Sequence, residues 1–181
     1  MHALITTYSA EMLNRTWKDL TINGELKPMG HLAPLTIDAQ IGQQDVRVTF
    51  TYSNHVFSDE KGSGVLLFRK TGRYFCNNRY ESSLKLPEML REKFMDTYVT
   101  PYVDRNQNEQ YHYLELHDYA IFFDVKKHAD NHLHVVILSA YEVDKWGKDM
   151  LPKGNSVKSR FILDIKLQGM TYYQYKKQKK P

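Results

Sequence analysis

Along the chain, the apolar residues Val46, Val48, Phe50 and Tyr52 alternate with Arg47, Thr49 and Thr51. That period of two is the pattern of a strand with one face on a core and the other toward solvent. Residues 35–41 alternate more weakly, and Gly42-Gln43-Gln44-Asp45 supplies turn chemistry between the two runs, so an antiparallel hairpin is predicted. Two richer runs, 119–125 and 133–141, are apolar on both faces, as strands near a sheet centre are. The polar residues 126–131 join them as a second hairpin. In the second run Ser139 and Tyr141 continue the face of Leu133, Val135 and Ile137, so two hydroxyls replace hydrophobes where that strand exits.

A period near 3.6 replaces the alternation over residues 80–98. Met89, Leu90 and Phe94 gather on one side while Glu88, Arg91, Glu92 and Lys93 face outward, which predicts an amphipathic helix. Pro87 marks either its first turn or a break between two shorter helices. Residues 9–20 predict a short helix with Met12, Leu13, Trp17 and Leu20 on one side, ended by Asn23-Gly24 and Pro28. Residues 161–167 fit a helix or a strand. A polar loop over 53–64 leads to a strand at 65–69, and 146–156 is a further loop. The expected fold class is α+β: a bent antiparallel β-sheet packed against one principal helix, with a short N-terminal helix. Residues 1–170 are expected to form a single domain and 171–181 a basic, Tyr/Lys-rich C-terminal tail.

Composition supports a globular chain: of 181 residues, 41% are hydrophobic, 13% aromatic and 25% charged. The net charge of +4 is unevenly placed. Lys176, Lys177, Lys179 and Lys180 hold four of the 25 basic residues, so the remainder balances 21 Lys and Arg against 21 Asp and Glu. Cys76 is the sole cysteine, which excludes an internal disulfide. No run is long enough for a membrane span and no secretory signal pattern opens the chain, so a cytoplasmic location without a membrane partner is expected.

Candidate chemistry gathers at a few places. His55, in Ser53-Asn54-His55, stands where strand alternation gives way to the polar loop, and a histidine there can exchange protons near neutral pH or simply bond a turn. Arg79, with Ser82 and Ser83, is expected at the entrance of the main helix, as an anion site or as surface cation and N-cap. Ser139 and Tyr141 offer hydroxyls to a substrate. His128, His132 and His134 have a spacing that a metal could use, but no accompanying Cys pair or His-Glu-x-x-His spacing; no metal and no cofactor is expected. In the tail, Tyr172, Tyr173 and Tyr175 interleave with Lys176, Lys177, Lys179 and Lys180, pairing stacking surfaces with phosphate-neutralising charge.

The segments Asn54-His55-Val56-Phe57-Ser58, Arg79-Tyr80-Glu81-Ser82-Ser83-Leu84-Lys85-Leu86-Pro87, Tyr119-Ala120-Ile121-Phe122-Phe123-Asp124-Val125 and Ser139-Ala140-Tyr141 together resemble a group of small bacterial proteins carried on prophages and other mobile elements. That group brings no activity with it. At fold level the chain also resembles the barnase, EndoU, colicin and RelE-like ribonucleases, which implies RNA as substrate.

Two functions from different classes follow as expectations. The first is a metal-independent endoribonuclease, toxin or defence-related, with His55 as acid or base, Arg79 offsetting phosphorane charge, and Ser139 and Tyr141 positioning the phosphate or supplying a proton. The second is a non-catalytic nucleic-acid- or protein-binding accessory factor of a phage or defence system. Expected partners are nucleic acid, RNA ahead of DNA, and a protein such as an antitoxin or defence component.

Overall fold

The computed structural model of the chain describes residues 14–103, 109–116, 118–143, 151 and 153–179. Among them run β1 (Leu20–Ile22), β2 (Glu25–Lys27), β3 (Leu35–Ile41), β4 (Gln44–Tyr52), β5 (Ser58–Asp59), β6 (Leu66–Phe68), β7 (Arg73–Phe75), α1 (Asn77–Ser83), α2 (Leu86–Lys93), β8 (Tyr98–Val103), β9 (Glu109–Leu116), β10 (Tyr119–Ala129), β11 (His132–Glu142), β12 (Val157–Lys158), α3 (Ser159–Leu167) and α4 (Tyr172–Gln178). Seven strands form one curled sheet in the order β12-β8-β9-β10-β11-β4-β3. Its neighbours are antiparallel except β11 and β4, which run parallel. A small β5-β7-β6 sheet and the β1-β2 hairpin lie outside it.

The fold is therefore mostly β with several short helices, and not one antiparallel sheet against one principal helix. The expected helix over 80–98 is divided. Pro87 has no N–H to donate to Ser83; α1 closes with Leu84 N–H to Glu81 O and Lys85 N–H to Ser82 O, and α2 restarts with the proline in its first turn. Tyr98 already belongs to β8. Of the predicted helix over 9–20, residues 14–20 are not helical, because Leu20 pairs with Lys27 in β1-β2; residues 9–13 lie outside the described residues. The ambiguous segment 161–167 is helical, within α3.

One face of the sheet carries the core. Phe94, in the turn after α2, packs edge-on against Phe50 of β4 at 4.9 Å and Phe123 of β10 at 5.2 Å, and Ile162, Leu163 and Leu167 of α3 join the same cluster. Burial of side chains this large contributes about 1.5–3 kcal/mol each. Both predicted hairpins are present, with Leu35 opposite Phe50 and Tyr119 opposite Glu142.

The β10–β11 ladder contains an irregularity that decides the position of the site. Phe123 pairs with Ile137 but Phe122 pairs with Ser139, leaving Leu138 as an extra residue. A bulge of one residue moves everything beyond it to the opposite face. Ile137 and Ala140 consequently stay in the core, whereas Ser139 and Tyr141 lie on the other side with Phe122. The expectation that these hydroxyls share the face of Leu133, Val135 and Ile137 is corrected by that single insertion.

Candidate functional site

β4 ends at Tyr52 while β11 continues to Glu142, so the last residues of β11 lose their strand neighbour. Ser53 takes that place. Its N–H donates to Ile137 O at 2.9 Å and its hydroxyl donates to Leu138 O at 2.6 Å, which satisfies the bulge's carbonyls. The same hydroxyl accepts the His55 N–H at 3.1 Å and so caps the 3-10 turn Asn54–Val56. Ser58 Oγ donates to Asn54 O at 2.6 Å and closes the turn from the far side. His55 is held against the bulge by these bonds.

The small sheet and the helix that follows it each deliver a guanidinium to the same place. Gly64 lets β7 approach, since a Cβ there would stand 1.9 Å from Phe75 O. Arg73 of β7 is 4% exposed; its Nε donates to Ser58 Oγ at 3.0 Å, its Nη1 to Glu60 Oε1 at 3.1 Å, and its Nη2 to Ser58 O. Glu60 is three-quarters exposed, so the carboxylate facing this buried cation is largely screened by water. Arg79, in the first turn of α1, donates from Nη1 to His55 O at 2.6 Å and to Ser139 Oγ at 3.3 Å, and its guanidinium carbon lies 4.8 Å from the centre of the Tyr141 ring. The structure thus brings together His55, Arg79, Ser139 and Tyr141.

Burial, then the charges of Arg73 and Arg79, lower the His55 pKa to about 4 against the opposing pull of Glu60. The imidazole is consequently neutral at pH 7 and can accept a proton. Burial also pushes the Tyr119 phenol up; its hydroxyl is buried without a hydrogen-bond partner, with Arg79 and Glu142 acting on it electrostatically. Ser82 Oγ donates to Glu142 Oε1 at 3.0 Å. A neutral acceptor, two guanidiniums and several hydroxyls can hold a phosphodiester and move a proton beside it.

Other expectations fall elsewhere. α1 begins at Asn77, so Arg79 stands in its first turn while Ser82 and Ser83 are its last two residues, and Ser83 Oγ turns back to Tyr80 O. Residues 172–178 of the basic segment form α4, capped by Thr171 and Gln174; Tyr172 and Tyr175 lie edge-on to Phe161, with Lys176 over Tyr172 and Lys179 over Tyr175. Tyr173 and Lys177 belong to the same helix, and Lys180 lies outside the described residues. His132 Nε2 and His134 Nε2 share hydrogen bonds with Thr49 and Thr51 at 2.9 and 2.7 Å, while the His128 and His132 rings meet at 5.0 Å. Among the described residues no group of three or more His, Cys, Asp and Glu could hold a metal ion.

Sequence reasoning missed Arg73, Ser53 and Tyr119. A cation followed directly by Tyr74-Phe75 in a strand-forming stretch is the signal that could have exposed Arg73. It also missed a buried ionic cluster: the Glu109 carboxylate, 2% exposed, meets His112 Nε2 at 3.3 Å and the Lys166 ammonium, and accepts the Tyr172 N–H at 2.7 Å. Burial alone would raise that carboxyl, but His112 and Lys166 outweigh it and hold it at about 2.

No helix among the described residues is long and apolar enough to cross a membrane. No curated protein and no solved structure matches the chain. The YjaZ family model matches residues 19–166, a span that contains the whole arrangement around Arg79 and leaves α4 outside it. The chain belongs to the YjaZ family, an uncharacterised bacterial family.

Proposed function

We propose that the protein is a metal-independent endoribonuclease acting at His55, Arg79, Ser139 and Tyr141. The observation that carries the reading is the contact of the Arg79 guanidinium with the His55 carbonyl, the Ser139 hydroxyl and the Tyr141 ring, beside an imidazole kept neutral. In the reaction, His55 takes the proton from an RNA 2′-OH as that oxygen bonds to the adjacent phosphorus. The bond from phosphorus to the 5′-oxygen breaks, and the Tyr141 phenol gives that oxygen a proton. Arg79 and Arg73 offset the charge that builds on the phosphorane, and Ser139 orients a non-bridging oxygen. A bound phosphodiester opposes the two guanidiniums and lifts the His55 pKa toward its ordinary range, which strengthens the base once substrate is present.

A labelled single-stranded RNA incubated with the full chain in EDTA tests this. The expected products carry 2′,3′-cyclic phosphate and 5′-hydroxyl ends, and His55→Ala and Arg79→Ala each slow cleavage by about 100-fold or more while keeping the parent's circular dichroism. Absence of cleavage by the parent, or full cleavage by both variants, overturns the proposal. A second reading, a non-catalytic nucleic-acid-binding module, draws on Arg79 Nη1 being already engaged by two protein oxygens. RNA retained intact by the parent would favour that reading.

A further inference from the structure

On the sheet face opposite the core, a row of aromatic rings leads to Arg79. Tyr102 of β8 stacks on Tyr111 of β9 at 4.7 Å and 10° between planes, Tyr111 meets Phe122 of β10 edge-on at 5.7 Å, and Phe122 stacks on Tyr141 of β11 at 5.7 Å and 20°. The Arg79 guanidinium then lies over Tyr141. Tyr102, at the open end, is 39% exposed, and Tyr111, Phe122 and Tyr141 are half-buried. The carboxylate of Glu115 on this face accepts the Tyr113 hydroxyl at 2.8 Å. Phe122 and Tyr141 also pack against a second, smaller cluster on this face, of Tyr113, Ala120, Val143 and Leu151, whereas Tyr102 and Tyr111 belong to neither cluster.

We propose that this row is a track for single-stranded RNA: unpaired bases stack on Tyr102 and Tyr111 at its open end, and the backbone is led past the edges of Phe122 and Tyr141 to the Arg79 guanidinium. The inference deepens the ribonuclease reading and rests on it for the chemistry at Arg79. Aromatic rings and guanidinium planes are the surfaces on which unpaired bases stack, whereas a duplex keeps its bases stacked on one another. Four strands at about 4.8 Å spacing span roughly 14 Å, and aromatic side chains on a four-stranded sheet stack about two or three bases. The cation at one end complements the phosphate, and the row is continuous with the site that would cut it.

The test measures binding of a short 2′-fluoro-substituted single-stranded RNA, which lacks the attacking hydroxyl, to the full chain by fluorescence anisotropy. Tyr102→Ala and Tyr111→Ala are each expected to weaken binding by about tenfold. Tyr102→Phe, which keeps the ring, stays within about twofold of the parent, and the same sequence as a duplex binds about tenfold more weakly. Tyr102 is exposed enough that its variants fold, so it carries the test if Tyr111→Ala does not. Binding unchanged in Tyr102→Ala, or a duplex bound as tightly as the single strand, overturns the track. Cleavage of ordinary RNA by the parent and by His55→Ala is measured alongside. Ring-dependent binding without cleavage by the parent refutes the nuclease reading and leaves the track standing; cleavage with binding indifferent to the rings refutes the track alone.

Discussion

Replacing Ser53 with alanine tests how the site is built, because one hydroxyl makes two bonds that join the 3-10 turn to the sheet. Ser53→Ala removes the donor to Leu138 O at 2.6 Å and the acceptor of the His55 N–H at 3.1 Å. Losing a capping side chain costs about 0.5–2 kcal/mol, and removing the partner of a carbonyl costs about 0.5–1.5 kcal/mol. Ser53 is half-buried, so water restores part of the second loss, and the sum is about 2 kcal/mol. For a chain of this length 1 kcal/mol moves Tm by about 2–4 °C. The expected drop is therefore about 4–8 °C, with a lower urea midpoint at unchanged m-value. Ser53→Thr retains the hydroxyl and keeps most of the parent's stability. Because His55 and Ser139 both flank the bonds that are lost, RNA cleavage should fall through kcat more than KM. A Ser53→Ala protein melting within about 1 °C of the parent would refute the claim that this hydroxyl pins the turn to the bulge.

Two further outcomes follow from the buried groups and from α4. The His55 and His134 pKa values are both lowered to about 4, by burial first and neighbouring positive charge second, so between about pH 6.5 and 4 the unfolded chain binds more protons than the folded one. Stability is full above that window and falls as pH drops through it, and His134→Gln should flatten the fall in a series of urea melts; below about pH 4.5 the depressed Glu109 carboxyl adds a second decline. Deleting residues 176–181 should leave the salt dependence of RNA binding unchanged, since Lys176 and Lys179 lie over tyrosines of their own helix. A shallower slope, by about 0.7 for each lysine that contacts a single-strand phosphate, would place RNA on the tail.

Local pattern made the hairpins legible: the alternation in β4, the two-sided apolar runs of β10 and β11, and the glycine turn after β3 each state their geometry in adjacent residues. What was not legible depends on partners distant in sequence. The parallel pairing of β11 with β4 joins residues 85 positions apart, such as Arg47 and His132, and nothing local to either strand announces it. The Leu138 bulge is equally silent, because an extra residue in an apolar run looks like continuation until the opposite strand is aligned. His55, Arg79, Ser139 and Tyr141 could be picked out by residue type at the ends of elements. Arg73 was hidden by its place beside Gly72, where a cation reads as part of a turn.

The charge balance shows why composition pointed away from the site. An excess of four cations at one end suggested that attraction to nucleic acid would be separable from an electroneutral body. Electroneutrality is a sum, however, and recognition depends on where each charge is opposed. Arg73 faces Glu60 across a water-screened boundary, and Arg79 spends its donor on uncharged oxygens, so the local field at His55 is positive although the whole body balances. The histidine itself records this, since its pKa falls under both guanidiniums. A phosphate entering there would gain two cations whose counter-charge is weak, whereas one approaching α4 meets lysines lying over aromatic rings. The sheet that loses a strand at Tyr52 thus sets the field at His55, because Ser53, His55 and Arg79 occupy the edge that β4 leaves.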